Sequence, residues 1–256
     1  MPDVTVVVAT RLRPERLRFL TELHASLDAQ DADWEAVLAI DGADPALLPT
    51  PLAADSRVRV LPLPRPVGAA CARNLAVNLA SGRALTWADD DDVLPPFSLS
   101  SRLHHLDNTG LGWVAGDSAD LYDDGSLHLW KCSTPSGRHE PGAVWAYWPT
   151  PHHTIPLGPT TILARTHLWS AIGGMGGLVQ GEDYLALRVT HLAAGELLPQ
   201  VVYHYRKHPH QLTRQTQYDE LEAAARNFAW RSGNDLALAL GHRPHTGRKT
   251  AGGATL

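Results

Sequence analysis

The feature that most constrains the fold is where the acidic run of the chain sits. "RALTWADDDDVLPP", residues 83–96, carries Asp89, Asp90, Asp91 and Asp92 directly after an apolar segment. That segment is the last of a series. "VTVVVA" at Val4–Ala9 reads as a buried, parallel strand, because β-branched residues fill it with no polar alternation. A helix follows, with Leu17, Leu20, Leu23 and Leu27 at helical spacing and Pro14 in its first turn. "WEAVLAIDG" gives a strand ending in Asp41, and "RVRVLPL" a third. "PVGAACARNLAVNLASG" reads as a helix opened by Gly68 and closed by Gly82. "RALTWA" is the fourth strand. The order β-α-β-β-α-β predicts an α/β fold on a largely parallel sheet. In such sheets ligands gather at the carboxyl ends of strands. Asp41 and the aspartate run both lie at such ends.

The remainder is less regular. "GWVAGDSADLYDDGSLHLW" predicts two strands joined at Asp123-Asp124-Gly125. Residues 133–160 read as a long loop rich in Pro, Trp, His and Gly. A strand and a short helix follow, then a helix opening at Gly181-Glu182-Asp183, a strand through "LPQVVYHYRKH", and a final helix over 215–240. The tail from Gly241 reads as disordered.

A net charge of −5 over 256 residues gives no basic footprint for nucleic acid. No stretch approaches the ~18 apolar residues of a membrane span. With only Cys71 and Cys132, no secretory leader pattern and no disulfide framework, a cytoplasmic location is expected. The fourteen histidines are scattered, without a zinc-binding spacing.

Like charges this close repel, so the run needs a reason. In an extended chain, alternation places Asp89 and Asp91 on one side and Asp90 and Asp92 on the other. Two carboxylates on one side can hold Mg²⁺ or Mn²⁺, which fill the rest of their shells with water and phosphate oxygens. The competing reading is a solvated acidic turn, with Asp92 capping a helix that starts near Pro95.

Taken together, six segments resemble the family-2 inverting glycosyltransferases of the GT-A fold. They are "VTVVVAT" (4–10), "VLAIDGADP" (37–45), "GAACARN" (68–74), "ADDDDVLPP" (88–96), "AIGGMGG" (171–177) and "GEDYLALR" (181–188), in family order over about residues 3–210. The resemblance implies a Rossmann-like, mostly parallel sheet flanked by helices in a single domain over 1–240. Residues 1–100 would bind the nucleotide sugar and 101–240 the acceptor, with 241–256 outside the domain.

It also implies roles. Ala9 and Thr10 would flank the base and ribose, and Asp41 would accept a hydrogen bond from the base. Arg73 would lie near the nucleotide or its phosphates. Asp90 would approach the ribose, Asp89 would support the metal or its waters, and Asp91 would be the direct metal ligand. Asp183 would be the general base and Glu182 would contact a sugar. His208, in "YHYRKHPH", is a candidate for the metal or diphosphate, with Arg206 or Lys207 offered to phosphate. His152 and His153, and Trp145, Tyr147 and Trp148, are candidates for an acceptor pocket. Ile40, Arg11 and Met175 depart from the family pattern and leave base and sugar preference open.

The activity so implied is metal-dependent (Mn²⁺ or Mg²⁺), inverting transfer from a nucleotide-diphosphate sugar, UDP-linked by default, to a small-molecule or carrier-bound acceptor. Two alternatives stand beside it. One is a non-catalytic nucleotide-sugar-binding module. The other is a nucleotidyltransferase, which should carry a glycine-rich loop after the first strand, whereas "TRLRPER" has no glycine.

Overall fold

The computed structural model describes residues 1–176, 181–211 and 218–242, without the side chains of 182, 183 and 218. Nine strands make one mixed sheet. They are β1 (Val4–Thr10), β2 (Trp34–Asp41), β3 (Val58–Leu63), β4 (Ala84–Asp89), β5 (Trp113–Leu121), β6 (Leu127–Trp130), β7 (Gly137–His139), β8 (Leu163–Arg165) and β9 (Gly195–Arg206). The order is β3-β2-β1-β4-β8-β5-β9-β7, with β6 paired to β5. The parallel half expected from the sequence is present: β3, β2, β1 and β4 all run the same way. β8 then joins antiparallel to both β4 and β5, while β5 and β9 are parallel.

β1 shows why its sequence is uniformly apolar. Val4, Val6 and Val8 enter a core with Leu20, Leu23 and Leu27 of α1 (Leu17–Asp28) and Leu99, Leu103 and Leu106 of α4 (Ser98–Thr109). Val7 enters the core on the other face, with Ala70, Ala72 and Ala76 of α3 (Ala69–Val77). Successive side chains point to opposite faces, and both faces are covered, so no position can be polar without a buried partner. The two polar residues of β1 have partners: the Thr5 hydroxyl donates to Glu35 at 2.7 Å and accepts from Gly82 N–H, and Thr10 donates to Asp90.

Shorter elements complete the chain: α2 (Thr50–Ala54), α5 (Thr166–Ala171), α6 (Val189–Leu192) and the long α7 (Tyr218–Ala239). Several boundaries differ from expectation. Pro14 opens a 3-10 turn, Pro14–Arg16, that feeds α1 rather than lying inside it. α3 ends at Val77, so Gly82 does not cap it. Gly82 is needed because a Cβ there would overlap the Thr5 backbone. Residues 133–160 are not wholly irregular, since they contain β7 and a 3-10 turn at Ala143–Tyr147. The segment from Glu182 is 3-10 to Arg188 before α6 begins.

Candidate active site

The parallel strands end together. Ala9 pairs with Asp89, and Thr10 with Ile40, the neighbour of Asp41, so three strand ends meet at one edge. Each of the four aspartates has a different job there.

β4 stops at Asp89, and the chain turns at once, with Asp92 N–H donating to Asp89 O at 3.2 Å. Alternation therefore fails after Asp89, because it holds only in extended backbone. Carboxylate oxygens of Asp89, Asp91 and Asp92 lie within 4.8 Å of one another, and Asp90 stands apart.

Asp92 is fully buried and caps no helix, since α4 begins only at Ser98. Its oxygens accept from Tyr203 OH at 2.7 Å and from Arg206 N–H at 2.8 Å. Tyr203 OH in turn accepts from Asp89 N–H at 3.1 Å. Burial, then Asp91 and Asp89, raise the Asp92 carboxyl well above the usual range, against the pull of those two donors. Burial also raises the Tyr203 phenol, which keeps it a proton donor.

Asp91 is buried, and its Oδ2 meets His208 Nε2 at 2.8 Å and Arg16 at 3.2 Å. Burial raises its proton affinity first, with Asp89 and Asp90 adding and Arg16 and His208 opposing. His210 N–H donates to His208 Nδ1 at 3.2 Å. That leaves the ring proton on Nε2, so His208 donates to Asp91. To ligate a metal through Nε2, the proton would have to shift to Nδ1.

Asp90 is held by the first strand and the turn after it: Thr10 OH donates to it at 2.6 Å and Arg16 at 2.8 Å. Thr10 Oγ1 also accepts from Leu12 N–H at 3.1 Å, and Leu12 sits at φ 47°, an unusual conformation for a branched residue. Asp89 pairs with Arg73 of α3 and is the most exposed of the four aspartates, its side chain 33% accessible.

Asp41 is buried and binds backbone: Val67 N–H at 2.6 Å and Gly68 N–H at 3.1 Å. It thereby holds the loop ahead of α3. Gly42 allows this, because at φ 74° it lets Pro66 pack where a Cβ would stand. Asn74 fixes the far loop, exchanging two hydrogen bonds with the Met175 backbone at 2.7 and 2.8 Å.

His208 reaches the aspartates because β9 continues into it and Val93 bridges His204 by two backbone bonds. Arg206 is structural rather than a free phosphate binder: it bonds Asp91 O and Glu22 and lies 4.5 Å over the Phe19 ring. Lys207 pairs with Asp120 at 3.2 Å. Trp145 and Trp148 are fully buried core residues, so stacking on an acceptor is not open to them. Tyr147 is half-buried and its ring faces His139, while His152 and His153 are exposed. Glu182 and Asp183 open the 3-10 segment, but their side chains lie outside the described residues. The sequence reading missed Arg16 and Tyr203. Neither is marked locally: Val202 and Tyr203 are both buried, so alternation along β9 does not single out Tyr203, and nothing distinguishes Arg16 from its neighbours Arg11 and Arg13.

Three clustered, mutually repelling carboxylates, two of them buried, are the hard oxygen donors that Mg²⁺ or Mn²⁺ takes. Asp92 is engaged at both oxygens by the fold, so Asp89 and Asp91 are the ones suited to a cation.

Among solved structures, the fold resembles S. aureus TarS 1-349 in complex with UDP-GlcNAc, with a TM-score of 0.67 at 17% identity over 94% of this chain and 73% of that one. A second structure of S. aureus TarS 1-349 gives 0.62 at 19% identity, over 80% of this chain and 60% of that one. This is the GT-A fold. The succinoglycan biosynthesis protein ExoO of Rhizobium meliloti (strain 1021) is 31% identical over 135 residues, 51% of this chain and 38% of that protein. The chain thus spans under half the length of that relative. The Glycosyl transferase family 2 profile matches residues 5–165, and the chain belongs to that family.

Proposed function

We propose that the chain is a metal-dependent, inverting glycosyltransferase that uses a nucleotide-diphosphate sugar, UDP-linked, with a small-molecule or carrier-bound acceptor. The observation that carries this reading is the carboxylate cluster at the carboxyl end of β4 in a family-2 chain. Solved complexes of S. aureus TarS 1-349 with UDP-GlcNAc and with UDP support the choice of nucleotide. Among the described residues no helix is long and apolar enough to cross a membrane, which favours an acceptor brought to the protein.

Asp91, backed by Asp89, would hold Mn²⁺ or Mg²⁺, which when bound supplies positive charge to the departing diphosphate. His208 holds Asp91 in place from the opposite side. Arg73, paired with Asp89, would stand beside the phosphates, and Asp41 would shape the base site through the loop it binds. The ribose role of Asp90 is best served through Thr10, whose hydroxyl it fixes at the end of β1. Asp183 would accept the acceptor's proton while the acceptor's lone pair forms the new bond at the anomeric carbon. The bond to the diphosphate oxygen breaks on the opposite face, and its electrons leave with the nucleotide.

The test is a panel of UDP-sugars and acceptors with Mn²⁺, with the anomeric configuration of the product read by proton NMR. An α-linked donor should give a β-linked product, and Asp183→Asn should abolish transfer while keeping donor binding. A retained configuration, or full transfer by Asp183→Asn, would refute the reading.

A further inference from the structure

Resting on the reading of Asp91 as a metal ligand, we propose that Arg16 is the built-in counter-cation of the site and competes with the divalent metal for Asp91. Arg16 closes a ring of contacts. One guanidinium nitrogen meets Asp90 at 2.8 Å and Asp91 at 3.2 Å, and the other donates to His210 O at 3.2 Å. His210 N–H meets His208, and His208 meets the same Asp91 oxygen that Arg16 does. The guanidinium therefore ties the loop after β1 to the segment after β9, across the aspartates.

Two features mark Arg16 as the cation built to yield. Arg206, another arginine at this edge, is anchored by Asp91 O at 2.7 Å, by Glu22 and by the face of Phe19. Arg16 has two of its three bonds at 3.2 Å, and its Nε is buried with no acceptor among the described residues. An unmet buried donor means the resting position is a compromise. A second cation on Asp91 would face the guanidinium at close range, where like charges repel strongly. Release of Asp91 leaves Arg16 its bond to Asp90, so displacement costs one contact and not all three. Without metal, Arg16 offsets the repulsion among Asp89, Asp90 and Asp91. With metal, its charge lowers the affinity.

The test is the Mn²⁺ dissociation constant, read by water-proton relaxation and by calorimetry, for wild type, Arg16→Gln, Arg16→Met and Arg16→Lys. Circular dichroism confirms that each is folded. Arg16→Gln and Arg16→Met, two neutral replacements of different polarity, should each bind Mn²⁺ about tenfold more tightly, equivalent to about 1.4 kcal/mol. Arg16→Lys, which keeps the charge, should stay within about threefold of wild type. Unchanged or weaker binding in the neutral variants overturns the proposal and leaves the metal reading standing. Absence of Mn²⁺ binding in wild type and variants alike overturns both.

Discussion

Tyr203→Phe isolates the bond that anchors the aspartate turn. The Tyr203 hydroxyl donates to Asp92 at 2.7 Å and accepts from Asp89 N–H at 3.1 Å, and all of this is buried. Phe keeps the ring, so no cavity opens and the packing contribution is small. Two polar contributions remain. A net hydrogen bond is worth roughly 0.5–1.5 kcal/mol, and an orphaned buried N–H costs roughly 1–3 kcal/mol. Arg206 N–H still holds the other Asp92 oxygen, and the turn can relax, so a loss of about 3 kcal/mol is expected. Urea unfolding followed by tryptophan fluorescence measures it: the midpoint should fall with an unchanged slope. The melting temperature should drop by roughly 6–10 °C. A loss under about 1 kcal/mol would mean that the hydroxyl is not what holds the turn, and that the assignment of Asp92 as the anchor is wrong.

Two further outcomes probe the scaffold. Glu35 is pushed up by burial, but its bonds from Ser81 N–H, Thr5 OH and Ser81 OH outweigh this, so its folded value lies below the ordinary 4.5. A depressed carboxyl stabilises above its unfolded value and loses that contribution as pH falls through its folded value. Wild type should therefore melt higher than Glu35→Gln at pH 7, and the gap should close in acid below 4.5; a gap that widens in acid contradicts it. Gly233→Ala sets two effects against each other in α7. Helix propensity favours Ala by about 1 kcal/mol, but the added Cβ would overlap the buried Trp145 ring, and overpacking costs about 1–3 kcal/mol. Net destabilisation in urea unfolding is expected, and stabilisation would show that α7 does not dock on Trp145.

Much of the parallel half of the sheet was legible in the sequence because its signals are local. β1, β2 and β4 are short apolar runs buried on both faces, and their polar ends at Thr10, Asp41 and Asp89 mark the sheet edge. What escaped depended on contacts between distant residues. The roles of Asp90 and Asp92 are set by Thr10 and Arg16 on one side and by Tyr203 and Arg206 on the other. Alternation misassigned Asp92 because the strand ends at Asp89, three residues before the acidic run does, and a turn follows. Trp145 and Trp148 sit in a Pro- and His-rich stretch that reads as a surface loop, yet they fill the core beneath α7. Composition reports polarity along the chain, and cannot report which side chains a later helix will cover.

The central claim is that Asp91 holds a cation on which donor binding depends. Calorimetric titration of UDP-GlcNAc and other UDP-sugars into wild type and Asp91→Ala, each with and without Mn²⁺, tests it most directly. At least one donor should bind wild type with Mn²⁺, and affinity should fall at least about tenfold, 1.4 kcal/mol, when Mn²⁺ is withheld or Asp91 is replaced. Equal donor binding in all four conditions would contradict the account.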